Sequence, residues 1–331
     1  MSAVRAGVVG TGHMGRYHVA VYSELPDVEL VGIVDIDEER VRGLAAQYNT
    51  TPYTEYQELF DQVDVVSIAV PTSLHYPVAK EFLRRGTHVL LEKPITKDLD
   101  QARELFSLAA DNGAVLHIGH VERFNGAVQE LKKIVEKPIL IEARRLGPFQ
   151  PRVEGDGAVL DLMIHDIDIV LGLVAEPIAH IAAHGVSVFS PHEDVANVQI
   201  TFEGGCVATL TASRATQHKV RTMAVTQLDA YVFLDFADQD IQIHRQASTE
   251  HQLTREELRY KQEAFIERVF VYKDNPLKSE IRHLIECALA GVKRAVSVED
   301  ELRSLTVALE VLDLIHANRR AHRTGVSSRG R

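Results

Sequence analysis

Asp161, His165 and Asp168 recur at helical spacing inside Val159 to Leu171, a segment that reads V-L-D-L-M-I-H-D-I-D-I-V-L. The spacing puts these three on one stripe, while apolar residues cover nearly every other direction and Asp166 points away. A helix that is apolar almost all round is a buried helix. Buried carboxylates and imidazoles are costly unless paired, so the stripe calls for partners elsewhere in the fold or for a ligand.

A second polar set lies near the start of the chain. Gly10-Thr11-Gly12-His13-Met14-Gly15 follows an apolar strand pattern directly and opens a helix. In that context the first glycine makes a tight turn, the second lets backbone approach a pyrophosphate, and the third lets helix and strand pack closely. N–H groups at the helix start would face the phosphates. Asp35, at the end of the second strand pattern, would accept hydrogen bonds from the adenosine ribose hydroxyls and repel a 2′-phosphate, which favours NAD over NADP. Arg40, about one turn into the next helix, is expected to face solvent.

Lys93 ends a strand in Leu91-Glu92-Lys93-Pro94. Ligands of open α/β sheets bind beyond the carboxyl ends of the strands, and Pro94 stiffens the turn there. Two more polar clusters close strands on the same edge. Val70-Pro71-Thr72-Ser73-Leu74-His75 would border the nicotinamide side, and Gly119-His120-Val121-Glu122-Arg123-Phe124-Asn125 follows a later strand. One such cluster reads as a solvated loop; three on one edge read as a site. The expected cofactor contacts are Gly10, Thr11, Gly12, His13, Met14, Gly15, Asp35, Val70, Pro71, Thr72, His75, Glu92 and Lys93.

The elements that must position these residues alternate regularly in the first part of the chain. Strand patterns at Val4 to Val9, Val28 to Val34, Val63 to Ala69, His88 to Leu91 and Val115 to Ile118 are separated by helical ones, among them Glu38 to Tyr48, Pro77 to Arg85 and Leu99 to Asp111. That rhythm predicts a doubly wound parallel sheet. After Asn125 it changes. A strand from Ile139 to Arg145 precedes the buried helix. Strand-like runs follow at Ile178 to Phe189, Val195 to Phe202, Cys206 to Ser213, Arg221 to Gln227, Ala230 to Asp235 and Ile241 to Arg245, and helices at Pro276 to Leu289 and Val298 to Ala317 end the pattern. Strands in succession predict a large, mostly antiparallel sheet. The expected division is an α/β Rossmann domain over 1–120, an α+β domain over 121–324 and a loose tail over 325–331.

At 331 residues the chain suits two cores, and its formal net charge of -11 argues against general binding to nucleic acid or anionic membrane. Arg319, Arg320, His322 and Arg323 are expected to cap a terminal helix. The two cysteines, Cys206 and Cys287, lie far apart in no metal-like spacing and read as small core residues of a reducing compartment. With no apolar run of bilayer length and no charged-then-apolar leader, the expectation is a cytoplasmic protein.

Taken together, the glycine fingerprint at Gly10 to Gly15, Glu92-Lys93-Pro94, and Asp161 with His165 in an Asp-x-x-x-His pair resemble the glucose-fructose oxidoreductase, inositol dehydrogenase and rhizopine-catabolism (Gfo/Idh/MocA) family across essentially the whole chain. The resemblance implies a Rossmann domain followed by a domain whose open sheet commonly forms the interface of a dimer or tetramer. It also implies a cis bond before Pro94. Within the family, Gly-His-Val-Glu-Arg-Phe-Asn and Val-Leu-Asp-Leu-Met-Ile-His-Asp-Ile-Asp-Ile resemble the branch that oxidises UDP-N-acetylglucosamine at C3, although Gly126 stands where that branch commonly has Pro. A diphosphate substrate needs cations, for which Arg123, Arg144, Arg145, Arg152 and Arg214 are candidates.

The expected chemistry is oxidation of a secondary alcohol, with Lys93, Asp161 and His165 as catalytic residues. Hydride leaves such an alcohol only as the hydroxyl proton departs, so a base near neutral pKa and a group that steadies the alkoxide are both needed. His165 suits the first role, since an unperturbed imidazole has a pKa of about 6.5. Asp161 would orient it, and Lys93 would favour the negative oxygen; the residues leave the reverse assignment of Lys93 and His165 open. His120, Arg123, Asn125 and Arg145 join Lys93 and His165 as expected substrate contacts, and no metal is expected. The rival readings are a metal centre on Asp161 and His165, an NAD-sensing binding protein, and a dehydrogenase of a free polyol or sugar.

Overall fold

The computed structural model describes residues 3–150, 155–246 and 264–327. Two compact units emerge, Met1–Phe124 with Asn275–Leu309, and Asn125–Asp274 with Glu310–Arg331.

The first unit runs β1 (Val4–Val9), α1 (Gly15–Glu24), β2 (Val28–Val34), α2 (Glu38–Tyr48), β3 (Thr51–Tyr53), β4 (Val65–Ile68), α3 (His75–Leu83), β5 (His88–Leu91), α4 (Leu99–Asp111) and β6 (Leu116–Ile118). All six strands are parallel, in the order β3-β2-β1-β4-β5-β6. Helices cover both faces, so the strands are apolar on both sides and β4 is buried throughout. Strand order reverses between β1 and β4, and the carboxyl ends at that switch point carry Gly10 and Val70. The helix starts follow from their caps: Asp37 accepts from the Arg40 amide, and Asp98 from the amides of Asp100 and Gln101. β3 carries no apolar alternation and goes unnoticed in the sequence.

The second unit comprises α5 (Gly126–Ile134), β7 (Leu140–Pro148), a π-helical turn at Val159–Met163, α6 (Ile164–Leu173), β8 (Ile178–Val186), β9 (Val195–Phe202), β10 (Val207–Ser213), β11 (Ala215–Thr226), β12 (Tyr231–Asp235), β13 (Asp240–Gln246) and β14 (Ala264–Arg268). Its eight strands stand in the order β14-β13-β12-β11-β7-β10-β9-β8 and pair antiparallel except β7 with β10. One face buries Ile141, Ala143, Val198, Ile200, Ala208, Leu210, Met223 and Val225, while Glu142, Arg144, Asn197 and Gln199 point the other way and are exposed. Every residue of α6 from Ile164 to Leu171 is buried.

The chain then returns to the first unit. On α7 (Pro276–Leu289), Leu277, Ile281, Leu284 and Ile285 join the core beneath β1 and α1, and on α8 (Val298–Ser327) Leu305 joins the core of the opposite sheet face. The boundary read from the sequence at residue 120 therefore misses residues 275–309, because an amphipathic helix does not reveal which core it serves. The helical pattern also continues to Ser327, past the expected start of a tail at 325, and residues 328–331 lie outside the described ones. Arg319 is not a helix cap: it donates to the Gly185 carbonyl of β8 and to Ser187 just beyond that strand. Among the described residues no helix is long and apolar enough to cross a membrane.

Candidate active site

The glycine loop divides its labour as its spacing predicts. Gly10 has φ +88°, and a Cβ there would lie 2.6 Å from the Ala69 carbonyl oxygen. At Gly15 a Cβ would come within 1.7 Å of the Gly10 oxygen, so helix α1 rests directly on the turn. A Cβ at Gly12, by contrast, would meet nothing within 4 Å. Backbone is therefore laid open at the one glycine where a phosphate has to approach, and α1 begins without a side-chain cap, as an anion-binding helix start does. His13 is exposed beside it.

Asp35 is buried at the end of β2. Its Oδ2 accepts from the Thr11 amide and hydroxyl, both at 2.8 Å, and its Oδ1 from the Asp37 amide at 3.0 Å. Burial alone would raise this carboxyl, but the bonds from Asp37 and Thr11 and the nearby Arg40 charge outweigh it and hold it below the usual range. A carboxylate has about four acceptor positions; Thr11 and Asp37 fill three, and the long 3.4 Å contacts of Arg40 share the rest, which a ribose hydroxyl would have to displace. Thr11 is thus turned to Asp35. Arg40 does not simply face solvent; it reaches both Asp35 oxygens at 3.4 Å and Asp37 at 2.8 Å. Ile36, 93% exposed, offers an apolar surface directly after Asp35. These residues fit NAD.

Glu92 is buried, with Oε1 2.9 Å from His18 Nε2 and Oε2 accepting from the Lys93 amide at 3.3 Å. His18 Nδ1 meets Ser67 Oγ at 3.0 Å, and Ser67 in turn meets the Tyr22 hydroxyl at 3.0 Å. Burial pushes Glu92 up, but the hydrogen bond and charge of His18, with Lys93 and His75 behind it, leave the carboxyl below its ordinary range. The backbone that carries Lys93 is thereby anchored to a buried polar chain, and the Lys93-Pro94 bond is cis. His18 went unnoticed in the sequence, although an imidazole on the apolar face of α1 poses the same energetic question as His165.

Three expected contacts are spent on the scaffold. His75, placed by the sequence at the cofactor, faces the Pro94 carbonyl at 2.8 Å with one ring nitrogen and the Val70 carbonyl at 3.0 Å with the other, so it staples two strand-end loops together. Burial lowers its pKa despite those carbonyls. Arg123 is buried and donates to Glu301 at 2.6 Å, and His120 is buried 3.9 Å from the same carboxylate. Val70 and Thr72 are half-buried beyond β4, with Pro71 exposed between them.

In the second unit the buried helix starts with a widened turn: the Ile164 amide bonds the Val159 carbonyl. The row from Asp161 to His165 is therefore not the regular α-helical one that the spacing predicts; π turns often mark functional positions. Glu193 secures this turn by accepting from the Val159 amide at 3.1 Å, and Gly157 is required because a Cβ there would lie 1.9 Å from Glu193 Oε1. Asp161 is half-buried and accepts from Arg214 at 3.1 Å; Arg214 also donates to the Gly157 carbonyl. His165 and Asp168 are buried on the helix.

Arg145 and Asn125 also have partners within the second unit. Arg145 is buried on the α6 side of the sheet and donates to Asp166. Asn125 caps α5 through the Ala127 amide and donates to the Phe236 carbonyl at 3.1 Å. Arg144 points to the opposite sheet face, and Arg152 lies outside the described residues.

A model of the oxidoreductase family with an NAD-binding Rossmann fold matches residues 4–120, and one of the GFO/IDH/MocA C-terminal domain matches residues 128–231. The chain is 38% identical to a UDP-N-acetylglucosamine 3-dehydrogenase of Acidithiobacillus ferrooxidans over 75% of its own length and 80% of that protein. A solved structure bearing that name, from the same organism, has a TM-score of 0.85 at 32% identity and covers 96% of this chain and 99% of its own. A scyllo-inositol 2-dehydrogenase (NAD(+)) of Bacillus subtilis is 26% identical over 67% of this chain and 71% of that protein.

Proposed function

The chain belongs to the Gfo/Idh/MocA oxidoreductase family, and from that premise we propose that it oxidises the C3 hydroxyl of UDP-N-acetylglucosamine with NAD as hydride acceptor. The observation that carries the substrate choice is the breadth of the likeness: 38% identity across 80% of the UDP-N-acetylglucosamine enzyme, against 26% for the inositol enzyme.

Bound NAD supplies the acceptor for hydride. Everything else falls to the chain. Gly12 and the start of α1 would hold the pyrophosphate, Asp35 would take the ribose, and the exposed Ile36 would offer its apolar surface to the adenine. His165 receives the hydroxyl proton; Asp161, kept in place by Arg214, favours the imidazolium that results. Lys93, on backbone fixed by Glu92, donates to the substrate oxygen as it gains negative charge.

A second reading, a dehydrogenase of a free polyol or sugar, draws support from the arginines. Arg123, Arg145 and Arg214 are already paired with Glu301, Asp166 and Asp161, although a diphosphate substrate would need such cations. Mixing the protein and NAD with UDP-N-acetylglucosamine, UDP-glucose, myo-inositol or glucose and following nicotinamide fluorescence separates the two. UDP-N-acetylglucosamine should exceed the free sugars by about 100-fold or more in kcat/KM. Turnover of inositol alone would overturn the substrate, and turnover of no sugar would favour an NAD-sensing binding protein.

The same reading makes the protein a cytoplasmic homo-oligomer, dimer or tetramer, assembled through the open face of the eight-stranded sheet. Tyr231, exposed on that face, and two free buried cysteines in keeping with a reducing compartment support it. A monomer in sedimentation at micromolar concentration would refute the assembly.

A further inference from the structure

The first unit also brings together His117 of β6 with His283 and Cys287 of α7, one ligand atom from each lying within 4.8 Å of the others. We propose that these three side chains form a site for a thiophilic cation of the zinc class, separate from the dehydrogenase chemistry.

Three observations support it. First, Cys287 Sγ lies 3.6 Å from His283 Nε2. A tetrahedral zinc ion with bonds of about 2.0 Å to nitrogen and about 2.3 Å to sulfur separates those two ligands by about 3.5 Å. Second, His283 and Cys287 stand one turn apart on a single helix, so rigid backbone supplies two of the ligands. Third, His117 reaches the pair from a different element, buried to 6% exposure with its ring 5.2 Å from that of His283.

Charge and protonation fit as well. Burial, with the charge of Arg294 behind it, lowers the His117 pKa to about 3, so its ring offers a lone pair at any physiological pH. Burial also lowers His283 and raises Cys287. The thiol must therefore give up one proton per ion bound, and the thiolate formed offsets the nearby Arg294 cation, which is itself 3.5 Å from Glu301. The His283 Nε2 lone pair now accepts from the Ala295 amide at 3.0 Å, a bond the ion would replace. Water would complete the coordination from the half-buried His283 side.

The test uses the full chain, stripped with chelator and titrated with Co2+ and then with Zn2+. A thiolate-to-cobalt charge-transfer band should saturate at one equivalent and vanish as zinc displaces cobalt. Cys287→Ser should abolish the band, His117→Gln should weaken cobalt binding by about tenfold or more, and Cys206→Ser should change neither. Circular dichroism of each variant verifies folding, and His283→Gln gives an independent reading if Cys287→Ser does not fold. Absence of the band in the parent chain, its persistence in Cys287→Ser, or its loss in Cys206→Ser would overturn the site.

Discussion

Arg145 and Asp166 form a buried ion pair in which both side chains are only 2% exposed, with guanidinium nitrogens 2.8 and 3.1 Å from one carboxylate oxygen. Removing one partner strands a charge. Arg145→Met should cost about 3–5 kcal/mol in urea denaturation, and adding Asp166→Leu should recover most of it. A single variant as stable as the parent would contradict the pair's role.

The glycines of the first turn should separate folding from binding. Gly15→Ala forces Cβ to 1.7 Å from a carbonyl oxygen and should cost about 3 kcal/mol or more. Gly12→Ala meets open space, so its stability should stay within about 0.5 kcal/mol while NAD affinity drops about tenfold or more. Thermal unfolding and fluorescence titration with NADH read the two effects.

Arg40 tempers the carboxylate that discriminates between the cofactors. Arg40→Ala should leave Asp35 more repulsive to a 2′-phosphate and raise the ratio of NADP to NAD KM by about fivefold, the scale of an exposed charge contact. An unchanged ratio would show that Arg40 has no part in the choice.

Glu280 on α7 is fully buried, and both its carboxylate oxygens are without hydrogen-bond partners among the described residues. Burial and the charges of Glu92 and Glu301, against a lowering by Arg123, raise its pKa well above 4.5. The unfolded chain releases this proton near 4.5 while the folded chain keeps it, so stability is undiminished below that pH and falls as pH rises toward the folded pKa. Glu280→Gln should therefore match the parent near about pH 4 and unfold at a higher temperature near about pH 8. A parallel pH dependence in both proteins would refute a protonated Glu280.

Lys93→Ala should lower kcat by about 100-fold or more, with NAD affinity changed by no more than about threefold. Stopped-flow turnover and nicotinamide fluorescence distinguish those quantities, and near-normal kcat would remove Lys93 from the chemistry.

Local signals carried the sequence reading furthest. Glu38–Tyr48, Leu99–Asp111 and Pro276–Leu289 have the same bounds in sequence pattern and structure because Asp37, Asp98 and Asn275 cap them. The glycine roles were legible for the same reason, since turn, approach and packing lie within six residues. Partners were not. Asp161 meets an arginine 53 residues away, and Arg123 meets a glutamate 178 residues away, distances over which spacing carries no information. A polar strand-end cluster such as His120 to Asn125 looks alike whether its groups meet a substrate or each other; burial decides between them.

The return of the chain to its first unit bears on synthesis. A ribosome delivers the glycine loop and all six parallel strands early, but Ile281, Leu284 and Leu305, which seal the two faces of that sheet, emerge only after residues 125–274 of the second unit. The part begun first waits for a segment made some 150 residues later. Until then its apolar faces stand open to solvent and to chaperones, so a nascent chain halted before residue 275 would hold every glycine of the fingerprint and still lack a finished fold to present them.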